Sequence, residues 1–178
     1  MVFCQTVIYN LIMDIKNLSS RYIVRQLEKH DVQTVLDLYE SNPLYFEHCP
    51  PPPTIQSVEY DMRALPDGKS IADKHFVGFF DGNNLVAVLD LIEKYPDKQT
   101  VFIGLFMVAA AYQGRGVGSK IVSSCFKQLA AEGYTHVRLG YVKTNPQAKS
   151  FWQKLGLVPT GIECEQENYT VVVTDRII

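Results

Sequence analysis

Most features that would narrow a function at once are missing from this sequence. Its four cysteines, Cys4, Cys49, Cys125 and Cys164, lie far apart and form no Cys-x-x-Cys pair. That spacing excludes the usual zinc sites and a small disulfide framework, so no metal is expected and the thiols read as free, in a reducing cytoplasm. The longest apolar run, Val101 to Ala111, is too short to cross a bilayer and suits a buried strand. Met1 to Ile15 is apolar but has no basic flank and no small-residue cleavage site, which argues against a signal peptide. Neither sign of charge dominates: 17 Lys and Arg stand against 19 Asp and Glu, a net charge of −2. A general nucleic-acid or anionic-membrane surface needs a basic surplus, so neither partner is expected. There is no repeat, low-complexity tract or linker, and no acidic cluster that would select a polyamine or aminoglycoside.

What is present fits one α/β domain. The 178 residues are 47% hydrophobic and 20% charged, enough for a single buried core. Residues 1–20 read as an N-terminal extension and 21–178 as the domain. A second methionine, Met13, leaves two readings open for what precedes it, an upstream extension or a pairing strand. Tyr22 to Leu27 alternates as a strand. A helix follows, with Asp31 as its cap and Val32, Val35, Leu36 and Tyr39 on one face. Ser41-Asn42-Pro43 stops it. A loop then runs through four prolines, Pro50 to Pro53, which are stiff and extended. Thr54 caps a second helix with Val58, Met62 and Leu65 inward, ended by Pro66-Asp67-Gly68.

Three strands come next: His75 to Phe80, Leu85 to Ile92 after the turn Asp81 to Asn84, and Thr100 to Val108. The third is apolar on both faces and is expected at the centre of the sheet, covered on both sides. Gly116 to Glu132 carries a helical stripe of Val117, Ile121, Cys125 and Leu129, and Gly133 suits its C-terminal cap. His136 to Val142 is a strand. Asn145-Pro146 opens a last helix lined by Ala148, Phe151, Trp152 and Leu155 and closed by Gly156. Two strands, near Val158 to Glu163 and Tyr169 to Thr174, end the chain. The order β-α-α-β-β-β-α-β-α-β-β implies a mixed sheet.

The segment that carries chemistry is Gln113-Gly114-Arg115-Gly116-Val117-Gly118, between a buried strand and an amphipathic helix. A helix start presents unpaired N–H groups with partial positive charge, and glycines let that backbone approach an anion. Arg115 adds a full charge. Together they suit a phosphate. The pattern lacks the Lys-Ser/Thr of a Walker loop. Its glycines run GxGxG rather than GxGxxG, and it does not open a βαβ unit, which argues against a dinucleotide site. On the hexapeptide alone, a glycine-rich turn with no ligand is an equal reading.

Gln-x-x-Gly-x-Gly after a strand resembles the pyrophosphate-binding motif of the GNAT acetyltransferases. Phe106 to Tyr112 is similar to that family's fourth strand and its lead into the loop. Asn145-Pro146-Gln147-Ala148-Lys149-Ser150-Phe151-Trp152-Gln153-Lys154-Leu155-Gly156-Leu157 is similar to its N-x-x-A-x-x-x-[YF]-x-K-x-G-F segment. The resemblance covers the chain from Tyr22 onward and implies a GNAT-like fold with acetyl-CoA as co-substrate. It implies that Gln113, Gly114, Arg115, Gly116, Val117, Gly118 and Ser119 bind the CoA pyrophosphate, and that the backbone near Phe106, Met107 and Val108 pairs with the pantetheine arm. Asn145, with Ala148 and Trp152 on the same helix, would contact the acyl end. Asn145 is also a good helix cap, and both roles can hold together. It further implies a small-molecule, peptide or protein amine as acceptor, and a possible homodimer.

The family's amine attacks the thioester directly within a ternary complex. An alkyl amine of pKa about 10.4 is only about 1 part in 2,500 neutral at pH 7, so its deprotonation costs roughly 4–5 kcal/mol. A base is therefore useful. Members often take it from the fourth strand, but Val101 to Val108 has no titratable side chain. Asp90, Glu93 and His48 are the remaining candidates, and for each an ordinary polar surface residue is the stronger reading. Trp152 stands where many members place a tyrosine that protonates the leaving thiolate, and Trp has no usable proton. Tyr141 is a weak substitute. The loss is tolerable, since a thiol of pKa about 8.5 leaves as thiolate at a cost of about 2 kcal/mol at pH 7. Positioning and polarisation are left as the main catalysis. The acceptor is expected to cross the loop holding Tyr45, Phe46, His48 and the prolines. An acetyltransferase is the first reading and a non-catalytic acyl-CoA sensor of the same fold the second.

Overall fold

The computed structural model describes residues 13–178. Along the chain run β1 (Ile23–Gln26), α1 (Val32–Glu40), α2 (Pro43–His48), α3 (Ile55–Asp61), β2 (Lys74–Asp81), β3 (Asn84–Ile92) and β4 (Thr100–Val108). They are followed by α4 (Val117–Ala131), β5 (His136–Val142), α5 (Pro146–Lys154), β6 (Val158–Glu165) and β7 (Thr170–Ile177). All seven strands form one sheet in the order β1-β2-β3-β4-β5-β7-β6. Among the described residues, only the β4–β5 pair is parallel. Two apolar clusters sandwich this sheet. One packs α4 and α5 against it through Ile121, Cys125, Leu129 and Trp152. The other packs α1, α2 and α3 on the opposite face through Val35, Tyr39, Phe46 and Val58.

Local chemistry sets several boundaries where expected. Asp81 pairs with Asn84, so Gly82-Asn83 is a two-residue turn, and Gly82 has the positive φ of 58° that such a turn requires. The Thr54 side chain accepts from the Ser57 N–H at 3.1 Å and starts α3. Asn145 caps α5 in the same way, its Oδ1 accepting from the Ala148 N–H at 2.9 Å.

Other boundaries move. Within the stretch read as an extension, Met13 and Leu18 are buried in the apolar cluster that includes α4, and the Cys125 thiol donates to the Leu18 carbonyl. The two readings of the chain before Met13 lie outside the described residues. Asp31 does not cap its own helix. Its carboxylate turns back to take two bonds from Arg25 of β1 at 2.7 Å each and one from the Glu28 N–H at 2.9 Å. The segment expected as loop after Asn42 contains α2, with Pro43 at its first turn and Tyr45 and Phe46 packed toward Tyr39. α3 ends at Asp61, short of Leu65. β6 and β7 run two and three residues past their expected ends, to Glu165 and Ile177.

The finding that matters most concerns β4. It is central and packed on both faces, but its second half has no partner strand on the β5 edge. Leu91 pairs with Ile103 and Asp90 with Leu105, so Gly104 is an unpaired bulge residue. A bulge bends its strand. β4 meets β5 only from Thr100–His136 to Ile103–Leu139. Beyond that the strands part, β5 continuing beside β7 while Leu105 to Val108 keep β3 alone.

Candidate active site

The parted strands open a cleft of about 810 Å³. One end is bounded by Gln113, Gly114, Gly116, Gly118 and Ser119, the middle by Ile103 to Val108 opposite Leu139 to Val142, and the other end by Ser41 to Tyr45, Cys49, Tyr169 and Val171. Antiparallel pairing turns alternate residues to opposite sides of a strand. The Ala109 N–H bonds to Val86 of β3, so Met107 also turns its backbone to β3. Phe106 and Val108 are thus the residues whose backbone faces the opening, and the expected contribution of Met107 is restricted to its side chain. The Val108 carbonyl is already taken by Gln113 Nε2 at 2.7 Å and Asn42 Nδ2 at 3.2 Å. Its N–H and both groups of Phe106 remain.

The glycine loop has the geometry of an anion cradle. Gly114 and Gly116 have φ values of 72° and 73°, left-handed conformations that turn successive N–H groups the same way. The first α4 bond that closes back on the loop is from Lys120 to the Gly116 carbonyl, which leaves the N–H groups of residues 117–119 free of helix partners. Gly118 packs closely, since a Cβ there would stand 3.2 Å from Val108 Cγ2. Arg115 and Val117 do not line the cleft; Arg115 is exposed beside it and Val117 packs inward. The Gln113 amide, spent on Asn42 Oδ1 at 2.6 Å and Val108, fastens the loop to the end of α1.

α5 forms one wall. Phe151 stacks on Phe106 at 5.9 Å, and Trp152 meets Phe151 edge-on at 4.8 Å. Trp152 is 7% exposed, so packing is its observed role. Ala148 lines the cleft, and Asn145 lines it while capping α5. Phe151 was legible as a helix-face residue but not as part of this wall.

The candidate acid and bases separate. Glu93 sits past the far end of β3, bonded to His75 Nε2 at 2.6 Å and to the Tyr134 hydroxyl. It does not line the cleft, and the bonds it accepts from His75 and Tyr134 outweigh its burial and hold its pKa low. His48 does not line the cleft; its Nδ1 is 3.1 Å from Thr144 Oγ1, which links α2 to the β5–α5 loop. Tyr141 lines the cleft, but burial and then Glu163 raise its pKa, which weakens it as an acid. Asp90 lies behind Gly104. Tyr45, Cys49 and Tyr169 meet at the α2 end of the cleft. Contact with the Cys49 thiol, then burial, pushes the Tyr169 hydroxyl up to about 12. Tyr169 and Cys49 gave no signal in sequence, because only the β6–β7 hairpin brings residue 169 to α2.

The pattern of the Acetyltransferase (GNAT) family matches residues 33–157 of this chain. The chain belongs to the GNAT acetyltransferase family. As a GNAT acetyltransferase it is an acyltransferase that uses acetyl-CoA. No curated protein matches it by sequence. Solved structures share the GNAT fold. An acetyltransferase from Thermus thermophilus superposes with a TM-score of 0.67 at 22% identity, over 87% of this chain and 96% of that one. The ribosomal-protein-S18-alanine N-acetyltransferase of Escherichia coli gives 0.62 at 11%, over 87% and 92%. PaiA N-acetyltransferase from Thermoplasma acidophilum, solved with coenzyme A, gives 0.62 at 16%, over 86% and 98%. Among the described residues of this GNAT chain, no cluster of His, Cys, Asp and Glu could hold a metal, and no helix is long and apolar enough to cross a membrane. Cys49, Cys125 and Cys164 are free thiols.

Proposed function

We propose that this GNAT protein is an N-acetyltransferase that moves acetyl from acetyl-CoA directly to a primary amine held in the same complex. The observation that carries this reading is the parting of β4 and β5. It opens the sheet between the α4–α5 face, where the glycine cradle lies, and the α1–α3 face, where Tyr45 and Cys49 lie, so two substrates can meet edge to edge. The cradle suits the co-substrate's charge: paired left-handed glycines and free N–H groups at residues 117–119 hold a pyrophosphate, with Arg115 adjacent. The free edge groups of Phe106 and Val108 align the pantetheine amides, and an edge N–H polarises the thioester carbonyl. Bound there, acetyl-CoA supplies the activated acyl group. Ile103 to Val108 bear no nucleophile, which favours direct attack by the amine over an acyl-enzyme. Free thiols agree with a reducing, cytoplasmic setting.

Thiol release from acetyl-CoA with a panel of primary amines tests the reading. The wild type should release thiol with at least one amine, and Gly116→Trp, which fills the cradle, should not. Binding of acetyl-CoA with no turnover on any amine would point to the sensor instead. Equal turnover by Gly116→Trp would remove the cofactor site.

A further inference from the structure

β4 has no titratable side chain from Thr100 to Val108, so a proton acceptor for the amine has to come from a neighbour. Glu93, just past β3, is bonded to His75 and Tyr134, His48 is bonded to Thr144, and Asp61 is bonded by the Tyr39 hydroxyl at 3.0 Å. Asp90 is different. It faces the bulge at Gly104, which lines the cleft and is exposed there. A Cβ on Gly104 would fall on Asp90 Oδ2, with the rest of the carboxyl group next nearest. Asp90 does not itself line the cleft, but its carboxylate lies directly against Gly104, which does, with no side chain between. Asp90 is 6% exposed, and its Oδ1 is buried with no directed hydrogen bond, although Lys74 Nζ is 2.7 Å from it and donates to Oδ2 at 2.7 Å. Oδ2, the oxygen against Gly104, accepts one bond from Lys74 and keeps capacity for a second donor.

We propose that Asp90 accepts the proton of the attacking amine across Gly104. This rests on the transferase reading above. The groups facing Asp90 are Lys74 and His75 of β2, Asp61 of α3 and Tyr39 of α1. Burial lifts its carboxyl to about 6, against the pull of Lys74. It is then ionised at neutral pH yet more basic than a surface carboxylate. The gap to an alkylammonium of pKa about 10.4 is about 6 kcal/mol, so Asp90 does not strip a free ammonium. It acts as the bond forms. The neutral amine's lone pair makes the N–C bond, its nitrogen becomes acidic, and the proton moves to Asp90. The C–S bond breaks with its electrons on sulfur. Asp90 then returns the proton through solvent to that sulfur, which leaves one amide and one thiol.

The test compares wild type, Asp90→Asn, and Asp90→Asn with Lys74→Met. The double variant removes the ammonium that the single one would leave buried and unpaired, so one of the two should fold. Thermal unfolding with acetyl-CoA shows that the cofactor site is intact in each. kcat is then followed against pH with an alkyl amine and with a weakly basic aryl amine or hydrazide. With the alkyl amine the variants should lose about 100-fold or more, and the extra ascending limb of the wild type near pH 6 should vanish. The loss on the weakly basic acceptor should be smaller by roughly tenfold or more, because its nitrogen sheds its proton without help. Equal losses on both acceptors would mark a packing role and overturn the proposal, as would an unchanged alkyl rate. In the wild type alone, the Asp90 carboxyl carbon should titrate near pH 6 by NMR; a carboxyl still ionised at about pH 4, the ordinary range, would also overturn it. If wild type binds acetyl-CoA but acetylates no amine, the transferase reading has failed, and Asp90's role fails with it.

Discussion

At the scale of single residues, two glycines of the site are needed for different reasons. Gly104 is needed for space. Its missing side chain is replaced by a carboxylate that Lys74, 4% exposed, holds in place, so an alanine cannot be absorbed by a free swing of Asp90. Gly104→Ala should cost about 1–3 kcal/mol, the usual range for overpacking. The cost should largely disappear when Asp90 is also alanine, which a double-mutant cycle in urea would show. A cost that persists would put the strain in the bulge backbone. Gly116 is needed for conformation. Nothing lies within 4 Å of its would-be Cβ, but its φ is 73°. Gly116→Ala should therefore cost only about 1–2 kcal/mol, whatever stands opposite. Neither reason can be read from the letter G.

At the scale of elements, α5 shows how one side chain can cap a helix and also line the cleft. Asn145 Oδ1 holds the Ala148 N–H, while its Nδ2 donates to no protein group among the described residues and faces the cleft. Asn145→Ala should destabilise by about 1 kcal/mol through the lost cap. Asn145→Asp keeps the acceptor oxygen, so its melting temperature without ligand should match the wild type, while its stabilisation by acetyl-CoA should fall. Equal stabilisation would leave Asn145 as a cap only. This helix was readable because Asn-Pro, an apolar face and a closing Gly all agree. The same dipeptide at Asn42-Pro43 opens α2, yet there it reads as a stop. Asn42 spends its amide on Leu38, Val108 and Gln113 instead of capping, and the six residues of α2 are too few to show a period. Strand limits for β4 and β5 followed from apolar runs bounded by turns, but where the two strands part did not. That depends on a bulge set by pairing with β3, which is a long-range property.

For the molecule as a whole, the glycine cradle and the parted strands form one cleft shared by α4, β4, β5 and α5. The part proposed for the cofactor was legible as a motif because its residues are near in sequence. The part proposed for the acceptor was not, since α2, β3 and the β6–β7 hairpin meet only in the folded chain. A ligand spanning elements that belong to one core should stabilise the whole domain rather than one loop. At one hundred times its dissociation constant, a ligand that binds only the folded state adds about 2.7 kcal/mol. For a domain of this size that raises the melting temperature by about 5–10 °C. Acetyl-CoA should give a shift of that order in thermal unfolding, and NAD and ATP should not, because the loop lacks the Walker lysine and the dinucleotide spacing. A shift given equally by ATP would mean that the cradle reads any polyphosphate and that the cleft between β4 and β5 adds no selectivity. No shift at millimolar acetyl-CoA would mean that the parted strands do not bind the pantetheine arm and that the fold has kept the shape of the site without its use.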